Sequence, residues 1–148
     1  MIIWGFFIIF VETIRDMEDL FATYEQALAL KELGFDKPCW CYFVNDVFFD
    51  SMFPKDYDYF EHMNKKMEYT LAPLKSQVFK WFRDKHSLDS EIYMNHEFGT
   101  KIYTYLILQL DRAVVSYKTG SVDVSKSYEE AESACIDELI SIIKEKKS

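Results

Sequence analysis

Helix-forming and strand-forming segments alternate along this chain, and their order constrains the fold more than any other feature of the sequence. The first helix signal is a capping box at residues 23–26, where Thr23 and Gln26 can each satisfy a backbone amide of the first turn. Gly34 stands where a left-handed residue ends a helix, and Pro38 prevents the helix from resuming. These signals predict a helix from about residue 24 to residue 33.

Two further helices are predicted downstream. Apolar residues recur at helical spacing across residues 74–86, which predicts a helix whose buried face includes Trp81 and Phe82. A second capping box at residues 127–130 begins the last helix. Lysines near its carboxyl end stabilise it by interacting with the negative end of the helix dipole.

Strands are predicted between these helices. The run CWCYFVNDVFF at residues 39–49 is aromatic and β-branched, and Asn45 and Asp46 divide it where a tight hairpin turn is natural. A short strand is predicted at residues 68–71. Residues 50–66 lack regular periodicity and are predicted as a loop with one helical turn.

A second hairpin is predicted after the second helix. A short strand at residues 91–94 leads through a turn at 95–99 into residues 101–110, which are apolar on both faces and therefore predicted as a central strand. Residues 111–126 are predicted as a loop. The expected fold is α+β, with a small antiparallel sheet of two hairpins plus a short strand and about three helices, mostly on one face. The helix at 74–86 is expected to lie across a sheet formed by residues 39–49 and 101–110.

The net charge restricts the possible partners. Asp and Glu number 25 against 17 Lys and Arg, which gives a net charge of −8. A negative chain is a poor binder of phosphate backbones and of anionic lipid surfaces. We therefore expect neither direct nucleic-acid binding nor membrane binding.

Three cysteines without disulfide-framework spacing indicate a reducing cytoplasm. Cys39 and Cys41 are expected on one face of a strand and Cys135 on the last helix, all as buried or half-buried free thiols.

The amino-terminal run MIIWGFFIIFV carries no charge and is too short to span a bilayer. Residues 1–16 are therefore interpreted as a hydrophobic extension: a strand or helix added to the core, an oligomer contact, or a stretch upstream of a true start at Met17. Residues 17–148 are expected to form a single α+β domain.

Three stretches carry a resemblance: YEQALALKELGFDKPCWCYF at residues 24–43, LAPLKSQVFKWFRDKHSL at 71–88 and SYEEAESACIDELI at 127–140. They resemble a widespread set of small proteins encoded in phages and mobile elements of Bacteroides-type gut bacteria. The resemblance leaves out residues 1–16. No activity is known for that set, so the resemblance implies an origin but transfers no catalytic or binding residue.

Motifs for catalysis or metal binding are missing from the sequence, so no catalytic residue, metal or cofactor is predicted. His86 ends the second predicted helix, where an imidazolium would favour the dipole, and His96 is expected in a hairpin turn. Asp58 and His62 could share a helical face as a metal pair, but two ligands do not make a site. A strand cysteine paired with a histidine could in principle act as a nucleophile.

The most unusual local composition is an alternation of acids and aromatic rings at residues 56–62. Its acids are expected at the surface, and an extended conformation would place the two tyrosines on one side and the two aspartates on the other. Such rings resemble interface anchors, although they could equally pack onto the sheet. The candidate binding residues are Asp56, Tyr57, Asp58, Tyr59, Glu61 and His62.

These observations predict a non-enzymatic interaction or small-ligand-binding protein. Its partner would be a host or phage protein, a small molecule or a second copy of the chain. One alternative is a small hydrolase or transferase that uses carboxylates and a histidine. Another is a structural or assembly protein in which the hydrophobic extension makes the contact.

Overall fold

The computed structural model describes residues 17–97, 99–111, 114–121 and 127–148. The predicted extension at residues 1–16 lies outside the described residues. The helices and strands are, in chain order, α1 (Tyr24–Leu33), β1 (Cys39–Val44), β2 (Val47–Lys55), α2 (Tyr57–Glu61), β3 (Tyr69–Ala72), α3 (Lys75–His86), β4 (Leu88–Glu97), β5 (Thr100–Asp111), β6 (Val114–Ser121) and α4 (Tyr128–Lys147).

The first sheet, called here the β1 sheet, is antiparallel with strand order β2-β1-β3. The predicted hairpin is confirmed, since Val44 pairs with Val47 across a turn in which Asn45 adopts a left-handed φ of 57°. The predicted short strand is also confirmed as β3. Because β1 is central, β2 lies at one edge of this sheet, with no further described strand beside it.

The second sheet, called here the β5 sheet, is antiparallel with strand order β4-β5-β6. The prediction that residues 101–110 form a central strand is confirmed. Two local predictions were wrong. β4 is 10 residues long, so His96 pairs with Lys101 within the ladder instead of lying in a turn. The predicted loop at 111–126 contains β6, which forms because the free edge of β5 supplies backbone partners.

The α+β class is confirmed, but the strands form two sheets where one was expected. Helices connect the sheets, because α1 contacts β3 and α4, while α4 contacts β4 and β5. The expected position of the second predicted helix was wrong. α3 packs against β4 and α4. It does not cross a sheet formed by residues 39–49 and 101–110, because those residues belong to different sheets.

Local sequence signals set the helix ends. The Thr23 hydroxyl accepts a hydrogen bond from the Gln26 backbone N–H at 3.2 Å, and the Gln26 side chain accepts one from the Thr23 N–H at 3.1 Å. Gly34 ends α1 with a φ of 89°, a conformation that costs glycine no steric strain. The three predicted helices are therefore confirmed as α1, α3 and α4.

A continuous core joins the two sheets. Buried side chains of α1, α3 and α4 pack with residues of β3 and β5 in one cluster that includes Leu30, Leu71, Trp81, Ile107 and Leu139. Trp81 and Phe82 are buried, as predicted. Within the described residues, no helix is both long enough and apolar enough to cross a membrane.

The buried face of α3 gives the first testable prediction. Trp81→Ala should lower the free energy of unfolding by about 3–5 kcal/mol, because it removes a ring that packs on Phe35 at 5.5 Å and Phe82 at 5.0 Å. Trp40→Ala is the matched control at a half-exposed position and should cost about 1 kcal/mol or less. Urea unfolding of both variants measures the difference, and equal losses would contradict this assignment of the core.

Candidate functional site

The β2 strand carries the most exposed apolar side chains among the described residues. Met52 is 84% exposed and Phe53 is 66% exposed, although both lie within a strand. Large exposed apolar side chains at a sheet edge are characteristic of pairing and interaction sites.

An irregularity in the β1–β2 pairing explains this exposure. Cys39 pairs with Lys55 and Cys41 pairs with Asp50, so three residues of β1 face six residues of β2. The surplus residues of β2, which include Met52 and Phe53, leave the regular ladder and turn outward.

Neighbouring side chains extend this exposed patch. Phe49 pairs with Tyr42, which lies on the same face of the β1 sheet as Trp40, and the Tyr42 and Phe49 rings stack at 5.9 Å. From α2, the Tyr59 ring lies 3.8 Å from the ammonium group of Lys55 at the end of β2. The β2 surface is defined here as Trp40, Val47, Phe49, Met52, Phe53 and Tyr59, all exposed.

The predicted binding segment adjoins the β2 surface as a short helix. Asp56 is the N-cap of α2, since its carboxylate accepts a hydrogen bond from the Tyr59 N–H at 3.0 Å, and His62 is the C-cap. The extended alternative is therefore wrong, because the Asp56 cap favours a helical turn over a strand. The acids Asp58 and Glu61 are exposed, as predicted.

The structure separates the two tyrosines of that segment. Tyr57 is half-buried against the core, and its hydroxyl accepts a hydrogen bond from the Leu71 N–H at 3.4 Å. Burial raises the pKa of Tyr57 to about 12. Phe60 is buried and stacks on Tyr69 at 4.9 Å, so Tyr59 is the ring of α2 that remains available to a partner.

Sequence analysis missed the centre of the β2 surface. It ended the hairpin at residue 49, because Asp50, Ser51 and Pro54 interrupt the apolar alternation that indicates a strand. The one available signal was the adjacent pair Met52 and Phe53, two large apolar residues inside a segment otherwise predicted as a loop.

The cysteines are buried free thiols, as predicted. Burial raises the pKa of Cys39 and of Cys135 to about 12, and that of Cys41 to about 11. These thiols remain protonated near neutral pH, and a protonated thiol is a poor nucleophile.

The structure places no third metal ligand with Asp58 and His62 among the described residues. Asp58 lies on α2 and His62 caps it, but no group of three or more histidine, cysteine or acidic side chains gathers in the part of the chain that the structure describes.

Carboxylates surround the β2 surface. Asp46 lies in the β1–β2 turn, Asp58 and Glu61 lie on α2, and all three are exposed. The neighbouring cation is Lys55, whose ammonium group lies over Tyr59. The surface is thus apolar at its centre and acidic at its border. Comparison with family models, curated proteins and solved structures finds no match to this chain.

The two tyrosines of α2 should respond differently to substitution. Tyr57→Ser should lower the free energy of unfolding by about 2–3 kcal/mol because it removes a half-buried ring. Tyr59→Ser should cost less than about 1 kcal/mol, the value of an exposed cation–π contact with Lys55. Thermal melts followed by circular dichroism measure both, and a larger loss at Tyr59 would contradict the arrangement of α2.

The free energy of unfolding should depend on pH through the protonation of His86. Its ring packs on Trp81 at 4.8 Å, and burial lowers its pKa below 6.5, with the nearby ammonium groups of Lys85, Lys146 and Lys147 acting in the same direction. His86 ends α3 as predicted, and the folded state favours the neutral ring over the imidazolium that would interact with the helix dipole. The unfolded chain binds this proton more readily, so stability should fall as the pH drops through 6.5.

Urea unfolding between neutral and mildly acidic pH measures this effect. His86→Gln should show a shallower loss of stability than the unmodified chain, whereas His62→Gln removes an exposed imidazole and serves as the control. Identical pH profiles for His86→Gln and the unmodified chain would refute the assignment to His86.

Proposed function

We propose that this chain is a non-enzymatic interaction protein that binds a protein partner through the β2 surface in the bacterial cytoplasm. One observation carries the proposal: Met52 and Phe53 are the most exposed large apolar side chains described, and they lie on an edge strand. Exposed apolar edges of sheets promote aggregation unless another chain or segment covers them. A partner that binds this edge therefore explains its apolar composition.

The edge position favours an extended segment of the partner. A strand laid beside β2 would receive main-chain hydrogen bonds from the edge that no described strand covers, and its alternate side chains would contact Trp40 and Phe53. This mode of binding needs no deep groove.

Charge complementarity favours a partner with basic residues. The carboxylates of Asp46, Asp58 and Glu61 border the apolar centre, so lysine or arginine beside the partner's apolar residues would be attracted to them. A second copy would instead bring the same acids together on chains that each carry a net charge of −8. We therefore assign the surface to an extended apolar segment flanked by basic residues on a different protein.

The origin implied by the sequence resemblance fits this role. Small proteins of phages and mobile elements act in a host cell, so the partner would be a host protein or another protein of the same element. Neither nucleic acid nor a membrane is the expected partner of so acidic a chain.

The hydrolase or transferase alternative has less support. Burial raises the pKa of all three thiols. Carboxylates do gather in a cleft at the start of α1, but none of the described residues lining it is a histidine. The assembly alternative depends on residues 1–16, which lie outside the described residues.

A selection from a random peptide library displayed on yeast tests the proposal. The chain should enrich peptides in which lysine or arginine flanks apolar residues, and fluorescence anisotropy then gives the affinity of the best peptide. Met52→Ser combined with Phe53→Ser should weaken binding by at least about tenfold, since both side chains lie at the centre of the surface.

Tyr93→Ser combined with Met94→Ser is the matched control, because these exposed neighbours lie on β4 of the other sheet. It should leave binding unchanged. Equal losses in the two double variants, or no enrichment of basic apolar peptides, would contradict the proposal. Sedimentation velocity completes the test: a dimer lost in the Met52 and Phe53 variant would assign the surface to a second copy and overturn the choice of partner.

A further inference from the structure

A cleft of about 760 Å³ opens on the face of the β1 sheet opposite the β2 surface. Phe48 contributes to this cleft, whereas its neighbour Phe49 belongs to the β2 surface, because successive strand residues point to opposite faces. The starts of α1 and α4 and the β1–β2 turn form the other walls. The cleft is thus separate from the apolar centre of the β2 surface, and Asp46 in the β1–β2 turn borders both.

One wall of the cleft carries four aromatic rings in contact, of which Tyr24 and Phe48 are half-buried and Phe21 and Phe43 are 7% exposed. Phe21 lies 5.2 Å from Phe48, Phe48 lies 5.6 Å from Phe43, and Phe43 lies 5.3 Å from Tyr24, measured between ring centroids. The relative tilts of these rings are 59°, 67° and 66°. Aromatic faces attract cations, and several rings around one space form the sites that bind quaternary and alkylated ammonium groups.

Carboxylates surround the aromatic wall. Among the described residues, five acidic residues and one lysine line the cleft, so carboxylates outnumber cations in this lining. Within the described residues, no ion pair involves Glu18, Asp19 or Asp46, and all three are exposed. A ligand could therefore bind these carboxylates without breaking an ion pair between described residues.

The lysine of the cleft does not neutralise these acids. The Lys75 side chain is only 7% exposed, and its ammonium group lies 3.9 Å from Glu132 and donates to the Glu129 carbonyl oxygen at 3.4 Å. Its charge is thus directed to the first turns of α4, away from the exposed carboxylates beside the aromatic rings.

From this combination of an open cleft, a four-ring wall and unpaired carboxylates, we infer a binding site for an organic cation, an alkylammonium or guanidinium group. The apolar stem of such a group would lie along the half-buried rings of Tyr24 and Phe48, and its charge would approach Asp46 and the acids that precede α1. An inorganic divalent cation fits less well, because among the described residues no three carboxylates gather closely enough to hold a metal ion.

Two sources supply this chemistry: a free polyamine, and a lysine or arginine side chain of a peptide. The experiment uses spermidine for the first and a capped glycine–arginine–glycine tripeptide for the second. Each is titrated into the full chain at physiological ionic strength while backbone amide shifts are followed by NMR. Magnesium chloride is the control for general attraction to an acidic protein.

We expect saturable shifts at residues that line the cleft with spermidine, with the tripeptide or with both, and the tighter ligand identifies the source. Phe48→Leu keeps an apolar side chain but removes the ring, and should weaken binding about two- to fivefold. Asp46→Asn removes one exposed carboxylate of the cleft and keeps the side-chain shape, and should also weaken binding. Glu91→Gln removes one exposed charge on β4 of the other sheet and should leave affinity unchanged.

Three results would overturn the inference. The first is an absence of saturable shifts at the cleft with either organic cation. The second is an equal response to magnesium at the same residues. The third is an equal weakening by Glu91→Gln and Asp46→Asn, which would indicate general attraction to the charge of the whole chain.

Discussion

A buried amide at the start of α1 connects the two halves of the structure. Gln26 is only 3% exposed, and its amide nitrogen donates to the Ser133 carbonyl and hydroxyl oxygens at 3.0 Å and to the Asp137 carboxylate at 2.8 Å. The same side chain closes the capping box with Thr23. Because α1 also packs on β3 while α4 packs on β4 and β5, these hydrogen bonds fix one sheet relative to the other. A buried amide without such partners would be costly, so the arrangement of α1 and α4 is specific.

The helices could be predicted from the sequence because their signals are local. The capping boxes at Thr23 and Ser127 and the left-handed Gly34 each act within one turn. The strands were less predictable, because pairing joins residues far apart in sequence. β6 lies in a segment rich in polar residues and pairs with β5, and the division into two sheets depends on which strands pair.

The candidate site could be predicted only in part. The unusual composition of residues 56–62 indicated a segment that adjoins the β2 surface, since Tyr59 lies against Lys55 at the end of β2. It did not indicate that Tyr57 packs inward or that Met52 and Phe53 form the centre. That centre arises from the irregular pairing of β1 with β2, which is set by tertiary context. The aromatic cleft could not be predicted for the same reason, because its wall brings Phe21 and Tyr24 into contact with Phe48 and Phe43 of the β1–β2 hairpin.

The central claim is that β2 is an open edge available to a partner, and amide hydrogen exchange of the isolated chain measures this directly. β1 has a strand on each side, whereas β2 has a described strand on one side only. We expect the amides of β1 to exchange slowly and those of β2 that point away from β1 to exchange much faster, becoming protected when a selected peptide binds. Equal protection of β1 and β2 in the isolated monomer would show that the edge is already covered, and would contradict the account.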